Sequence, residues 1–189
     1  SDLEIGNHYI WGLAFDIYRF SGIQVFLQAM LSGATLVINR SNMIMSEILN
    51  NLIKNNCNAL SGTPSFWRKV LMSKEINNLD FKIITMGGEI ADKNILQGLK
   101  LKFPNAKLLH IYASTEAGVG FSVKDAHAGF PKKYIDNGIN GLILKLSKLQ
   151  TLMIKNKNQT QKYLSSDNLY DNSGFIDTGD IVEIKGDRV

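Results

Sequence analysis

Small and hydroxyl-bearing residues follow three short apolar runs, and their side chains are well suited to ligand chemistry. Residues 61–65 have the sequence SGTPS, residues 87–89 have GGE, and residues 113–116 have ASTE. Glycine has no Cβ to obstruct a ligand, and hydroxyl groups can donate hydrogen bonds to it. Such loops therefore allow a flat or phosphorylated ligand to lie close to the backbone. Ordinary turns favour the same residue types, so each loop taken alone has a second interpretation.

A regular spacing predicts the strands that position these loops. Four apolar runs begin 25, 23 and 25 residues apart, and amphipathic segments lie between them. Strand–helix–strand units of this length are typical of right-handed crossovers in a parallel sheet. Ligands bind beyond the carboxyl ends of such strands, so all three loops are expected at one edge of one sheet. The predicted strands are residues 34–38, 59–60, 82–86 and 107–112.

Apolar residues at helical spacing predict the helices that connect these strands. Asp92 is a suitable N-cap for the last of them, and Pro104 cannot continue it. A further helix precedes the first strand and is closed by Gly33. The predicted helices are residues 22–31, 44–53, 65–72 and 93–103.

The pattern changes near residue 120, where glycines separate short runs of alternating polar and apolar residues. Such runs predict strands of an antiparallel or barrel-like sheet, here residues 141–146, 149–155 and 179–185. The predicted fold class is α/β: a doubly wound, mostly parallel sheet with flanking helices, followed by a smaller antiparallel or barrel-like β subdomain. The predicted domains are residues 1–122 and 123–189.

Composition excludes several classes of protein. The 189 residues are 44% hydrophobic and 20% charged, which is enough apolar surface for a buried core. The net charge of +4 is too small to indicate a nucleic-acid partner, and a single cysteine, Cys57, excludes an internal disulfide. No apolar run approaches the length of a membrane span, and no targeting leader opens the chain. We therefore expect a globular protein of the cytoplasm.

Five segments together resemble the signature motifs of the adenylate-forming enzymes, the superfamily of acyl-CoA synthetases, peptide-synthetase adenylation domains and luciferases. Residues 110–116 (HIYASTE) are similar to the motif Y-G-x-T-E, and residues 174–180 (GFIDTGD) to G-[WY]-x-x-T-G-D. Residues 86–89 (MGGE) and 62–65 (GTPS) resemble the G-G-E and T-P-S segments, and residues 128–131 (AGFP) resemble V-G-x-P. The order and spacing of the segments make the resemblance specific, and it covers essentially the whole chain.

The resemblance implies roles for residues of these motifs. Asp180 would accept hydrogen bonds from the ribose hydroxyls, and Tyr112 would lie against adenine. Thr115 and Glu116 are the implied catalytic residues, Thr115 as a contact of the α-phosphate and Glu116 as a ligand of Mg²⁺. The other residues implied to contact the nucleotide are Gly87, Gly88, Glu89, Ala113 and Ser114. Ala113 departs from the family pattern, which has glycine at this position.

The resemblance also implies an activity. Members of the superfamily use ATP to convert a carboxylate to an acyl-adenylate and usually pass the acyl group to a thiol. The implied cofactors are ATP or AMP and Mg²⁺, and the implied partners are a small carboxylate substrate and CoA or a carrier-protein thiol. The family's phosphate loop and catalytic lysine have no counterpart in these 189 residues. We therefore expect an internal part of a longer enzyme that is inactive by itself.

Other functions remain open. The chain could be a module that binds adenine nucleotide without catalysis, or a degenerate member of the family. An unrelated dinucleotide-binding enzyme is disfavoured, because no G-x-G-x-x-G motif follows an early strand. The substrate is also open, since four apolar residues near the first predicted helix line either an acyl pocket or the core. These residues are Phe20, Ile23, Phe26 and Met30.

Overall fold

The computed structural model describes residues 6–40, 42–114, 118–157 and 170–189. The strands are β1 (Ile10–Leu13), β2 (Thr35–Ile38), β3 (Ala59–Gly62), β4 (Ile83–Gly87), β5 (Lys107–Ser114), β6 (Gly118–Val123), β7 (Leu142–Leu146), β8 (Thr151–Asn156) and β9 (Ile176–Ile181). The helices are α1 (Phe20–Ser32), α2 (Met45–Lys54), α3 (Pro64–Leu71), α4 (Lys93–Lys102) and α5 (Lys133–Asn137), with a 3₁₀ helix at Lys74–Asn78.

These strands form two sheets. The larger is a mixed, six-stranded sheet in the order β2-β1-β3-β4-β5-β6, and the pairs from β2 to β5 are all parallel. The smaller sheet is antiparallel, in the order β7-β8-β9. This arrangement confirms the predicted fold class of a mostly parallel α/β sheet followed by a smaller antiparallel one.

Apolar side chains cover both faces of the larger sheet, which is why its strands are apolar runs rather than alternating patterns. Leu60, Ile84 and Met86 belong to one core cluster, together with residues of α2, α3 and α4. Ala59 and Ile83, the neighbours of these residues along the strands, belong to a second cluster with residues of β1 and α1. The central strands are therefore buried between helices α2, α3 and α4 on one face and helix α1 on the other, as in a doubly wound fold.

Strand β1 was not predicted from the spacing of apolar runs. Its four residues lie between β2 and β3, with Trp11 in register with Leu36 on one side and Ala59 on the other. Gly12 lets Leu52 of α2 pack directly on the centre of β1, because a Cβ there would lie 2.6 Å from Cδ2 of Leu52. A four-residue strand that contains glycine carries too little periodicity to stand out in the sequence.

The predicted helix before the first strand is α1, and Gly33 closes it in a left-handed conformation with φ of 67°. Its buried residues are small or β-branched and include Val25 and Ala29. Phe20, Ile23 and Met30 are instead exposed, with exposed fractions of 45%, 44% and 63%. The interpretation of these three residues as core is therefore wrong, and the pocket interpretation stays a prediction.

Contacts divide the chain into two compact units, each described by itself. The first contains the described residues of Ser1–Ile111 and of Val123–Ala128. The second contains those of Tyr112–Ser122 and of Gly129–Val189. The domain boundary near residue 122, which the change of sequence pattern indicates, stays a prediction.

Cys57 lies in the first core cluster. Burial raises the pKa of its thiol to about 12, because the apolar surroundings disfavour the charged thiolate. The thiol is therefore protonated and shielded at neutral pH. None of the helices in the described part of the chain has the length and apolar character that a membrane crossing needs.

Asp92 caps α4 as predicted, because its Oδ1 accepts a hydrogen bond of 3.0 Å from the backbone N–H of Ile95. Its Oδ2 also bonds Arg68 of α3 at 2.5 Å. The bond from Ile95, followed by that from Arg68, lowers the pKa of the Asp92 carboxyl. Helix α4 ends at Lys102, two residues before Pro104, which confirms the predicted end.

We expect Asp92→Ala to lower the free energy of unfolding by about 0.5–2 kcal/mol, since the N-cap bond is lost. Because the pKa of Asp92 is lower in the folded state, its stabilisation is complete above the unfolded value of about 3.9 and disappears as pH falls through the folded value. Urea unfolding at pH 7 and pH 3 measures both effects. Asp92→Asn is the control, since it retains the cap to Ile95 and lacks the ion pair with Arg68. An equal loss of stability in both variants at pH 7 would contradict the capping role.

Candidate functional site

The GGE segment forms the turn after β4. Gly87 ends β4 in register with Ile111 of β5, and a Cβ on Gly87 would lie 3.2 Å from the carbonyl oxygen of Ile111. Gly88 has a φ of 79°, in the left-handed region that favours glycine, and the position of its missing Cβ is open space. The first glycine therefore favours close strand packing, and the second favours the left-handed conformation of the turn.

Glu89 joins this turn to the start of α3. Its Oε2 accepts a hydrogen bond of 2.9 Å from the backbone N–H of Ser65, while Thr63 caps α3 by accepting one of 3.1 Å from the N–H of Phe66. The hydrogen bond from the Ser65 side chain is the largest cause that lowers the pKa of the Glu89 carboxyl. Two of the three predicted loops are thus held together at the carboxyl edge of the parallel sheet, and Glu89 makes the link.

Tyr112 and Asp180 lie 68 positions apart in the sequence and meet in the second unit. Tyr112 is on β5 and Asp180 is on β9, and the Tyr112 hydroxyl donates a short hydrogen bond to Oδ2 of Asp180. The Tyr112 ring is half-buried, whereas the Asp180 side chain is exposed. A planar aromatic ring next to a carboxylate suits a ligand that combines a flat ring with hydroxyl groups.

A stack of aromatic rings fixes the position of Tyr112. Its ring packs on Phe121 of β6, with 5.3 Å between centroids and an angle of 19° between the planes. Phe121 is buried and also contacts Phe130 and Tyr134, with its ring edge-on to both. Gly120 admits this packing, because a Cβ there would lie 2.6 Å from the carbonyl oxygen of Tyr112. The hydroxyl of Tyr112 is therefore carried by a ring with little freedom to move.

The T-G-D segment lies in a bulge of β9, which positions Asp180. Residues 151–153 of β8 oppose residues 177–181 of β9, so β9 has two more residues than its partner over this stretch. Gly179 adopts a φ of 74° there. Bulges of this kind change the direction of a side chain relative to the regular ladder. The sequence predicted this strand as residues 179–185, which is wrong, because β9 ends at Ile181.

Side chains of the bulge hold its backbone in place. The Thr178 hydroxyl donates to the carbonyl oxygen of Leu152 at 2.9 Å and accepts from the N–H of Asp180 at 3.3 Å. The Asp177 carboxylate accepts hydrogen bonds from the N–H of Gly179 at 3.0 Å and from the Thr151 hydroxyl at 2.8 Å. These bonds fix the backbone of Asp180 before any ligand arrives.

We expect Gly179→Ala to destabilise the bulge by about 1–2 kcal/mol, because alanine disfavours the left-handed backbone conformation at this position. The added Cβ meets no neighbouring atom, so the backbone conformation is the whole cause of the expected loss. Gly179→Asn is the matched comparison, because asparagine tolerates this conformation better than alanine. Thermal unfolding of both variants measures the difference. Equal melting temperatures for Gly179→Ala and the wild type would show that the bulge does not need glycine.

The structure describes only some of the remaining predicted site residues. Ala113 and Ser114 end β5, and Ala113 is not among the described non-glycine residues with positive φ, so this position does not require glycine. Thr115 and Glu116 lie outside the described residues. The predicted magnesium ligand is therefore untested, and no three His, Cys, Asp or Glu side chains within residues 6–40, 42–114, 118–157 and 170–189 converge on a metal position.

Sequence reasoning missed the residues that support the site. Thr178 stood inside a recognised motif, and a hydroxyl next to a turn glycine is a signal that could have identified it. Phe121 and Gly120 carried no such signal. Their contact with Tyr112 depends on how β6 is placed relative to β5, which the sequence pattern does not specify.

A scan against protein families gives one match over most of the chain. The model of the family described as "AMP-binding enzyme" matches residues 10–144. Among curated proteins, bacitracin synthase 3 of Bacillus licheniformis is 30% identical over 100 residues, which are 52% of this chain and 2% of that protein.

Solved structures of similar fold include two proteins described with bound ligands. An arginine-to-lysine variant of E. coli MenE with bound OSB-AMS has a TM-score of 0.70 at 16% identity, and the match covers 98% of this chain and 40% of the MenE chain. ATP-bound MatB from Rhodopseudomonas palustris has a TM-score of 0.73 at 17% identity, covering 93% of this chain and 38% of its own. The chain thus spans about two fifths of these two proteins, and the likeness concerns the fold.

Proposed function

The chain belongs to the family of AMP-binding enzymes, and from this premise we propose that it is part of an ATP-dependent acid ligase. In the proposed reaction, a carboxylate oxygen of the substrate attacks the α-phosphorus of ATP. The bond from that phosphorus to the β-phosphate oxygen breaks, which gives an acyl-adenylate and pyrophosphate. The observation that carries the proposal is the contact of Tyr112 with Asp180, which joins two segments that resemble the family's motifs.

The proposed nucleoside contacts follow from the chemistry of this pair. The Asp180 carboxylate accepts hydrogen bonds from the ribose hydroxyls, and each bond to a charged group contributes about 1.5–3 kcal/mol. The ring of Tyr112 lies against adenine, supported from behind by Phe121. The structure supports this proposal because both side chains are held in place by contacts within the same unit.

The other roles are carried from the resemblance to the family's motifs. We propose Thr115 as the contact of the α-phosphate and Glu116 as the ligand of Mg²⁺, which would screen the charge of the phosphates when bound. The residues proposed to line the nucleotide are Gly87, Gly88, Glu89, Ala113 and Ser114. Of these residues, Gly88 would allow a ligand to lie close to its backbone, because open space lies where a side chain would be.

The partners of the whole protein are also proposals. Attack of a thiol on the acyl carbonyl carbon of the adenylate would give a thioester and release AMP. The thiol belongs to CoA or to a carrier protein, and the substrate is a small carboxylic acid. We keep the cytoplasm as the proposed location and expect no nucleic-acid partner, since the net charge is only +4.

Calorimetric titration of the chain with AMP tests the nucleoside site. We expect Asp180→Asn to weaken AMP binding at least ten-fold, because loss of one charged hydrogen bond costs about 1.4 kcal/mol or more. Asp80→Asn, which changes an exposed carboxylate outside the site, is the control and should bind like the wild type. Equal affinities of wild type and Asp180→Asn would refute the assignment of Asp180.

A second assay, the exchange between ATP and pyrophosphate, distinguishes the proposed ligase from a non-catalytic nucleotide-binding module. The module predicts AMP binding without carboxylate-dependent exchange between ATP and pyrophosphate, even in the longest natural form of the protein. Ala113, which replaces the motif glycine, is the feature that favours it, although the strand conformation at this position accommodates alanine. Exchange catalysed by the 189-residue chain alone would contradict the expectation that this part is inactive by itself.

A further inference from the structure

The backbone of Asp180 is fixed, yet its carboxylate is not fixed by the bulge. The bonds of Thr178 and Asp177 hold the main chain on either side of Gly179. The terminal torsion of an aspartate is soft, and an exposed carboxylate samples many orientations. The Asp180 side chain is exposed. Something other than the bulge must therefore orient its two oxygens.

The hydroxyl of Tyr112 is the group that does so. Within the described parts of the chain it is the one side-chain donor to the Asp180 carboxylate, and it bonds Oδ2. The Tyr112 ring cannot swing freely, because it stacks on buried Phe121 and packs against Gly120. A rigid donor therefore engages one oxygen of an otherwise mobile acceptor.

We propose that Tyr112 is a positioning residue for ribose recognition, in addition to its place beside the base. Its hydroxyl occupies Oδ2 of Asp180 and leaves Oδ1 directed to the hydroxyls of the sugar. This inference rests on the proposed function, since it specifies how the nucleoside site discriminates between sugars. A nucleotide that lacks the sugar hydroxyls leaves the oriented carboxylate unpaired, which lowers its affinity relative to AMP.

Orientation of this kind has an energetic basis. A carboxylate that is already held in its bound geometry loses less conformational freedom when the ribose binds. Without the Tyr112 hydroxyl, the carboxylate of Asp180 loses this conformational freedom only when the ribose binds, which weakens binding. Removing this hydroxyl leaves the aromatic ring and its contact with Phe121 in place, so the contribution of the hydroxyl can be separated from that of the ring.

The experiment compares AMP with 2′,3′-dideoxy-AMP by calorimetric titration of the whole chain. We expect Tyr112→Phe to weaken AMP binding roughly ten-fold, the equivalent of one hydrogen bond of about 1.4 kcal/mol. Binding of the dideoxy nucleotide should change less than two-fold, so selectivity for the ribose falls. Asp180→Asn should reduce selectivity in the same way. Tyr170→Phe removes a hydroxyl from the same unit, at a residue whose backbone pairs with Ile176, and should match the wild type.

The outcomes are distinguishable. If Tyr112→Phe weakens both nucleotides equally, the hydroxyl acts on the ring or the fold, and the inference is wrong. If Tyr112→Phe binds AMP like the wild type while Asp180→Asn does not, Asp180 needs no positioning, and the inference fails while the proposed function stands. If Asp180→Asn binds AMP like the wild type, the proposed ribose site fails first. Melting temperatures of all variants confirm that each one is folded.

Discussion

The hydrogen bond between Tyr112 and Asp180 is the contact on which the site depends, and it requires two separate constraints to hold. The ring of Tyr112 must be fixed, which the stack on Phe121 achieves. The backbone of Asp180 must leave the regular β ladder, which the bulge at Gly179 achieves. Neither Phe121 nor Gly179 is proposed to contact the ligand. Each constraint is a packing or backbone requirement that gives a polar pair its geometry.

The parallel sheet imposes a comparable constraint on the first unit. Its strands are apolar on both faces, and their parallel register brings the loops after β3 and β4 to the same edge. Glu89 uses that proximity by bonding the backbone of Ser65. The two glycines at this edge have different structural reasons. Gly87 allows close strand packing, and Gly88 forms a left-handed turn beside open space. The same features leave room for a ligand.

Helix α1 leaves several large apolar side chains exposed. Its small residues face the sheet, whereas Phe20, Ile23 and Met30 are exposed at helical spacing. Exposed apolar stripes of this kind favour association in solution.

Elements whose signal lies within a few neighbouring residues could be predicted before the fold was known. Apolar runs at regular intervals predicted the parallel strands β2, β3, β4 and β5, because burial on both faces leaves few other residue types possible. Asp92 and Pro104 marked the ends of α4, because capping and the missing proline N–H act within one helical turn. Three features become visible only in the folded chain: the place of β1 inside the sheet, the bulge of β9 at Gly179, and the stack under Tyr112. These features depend on the path of the chain between residues far apart in sequence, and neighbouring residues do not encode that path.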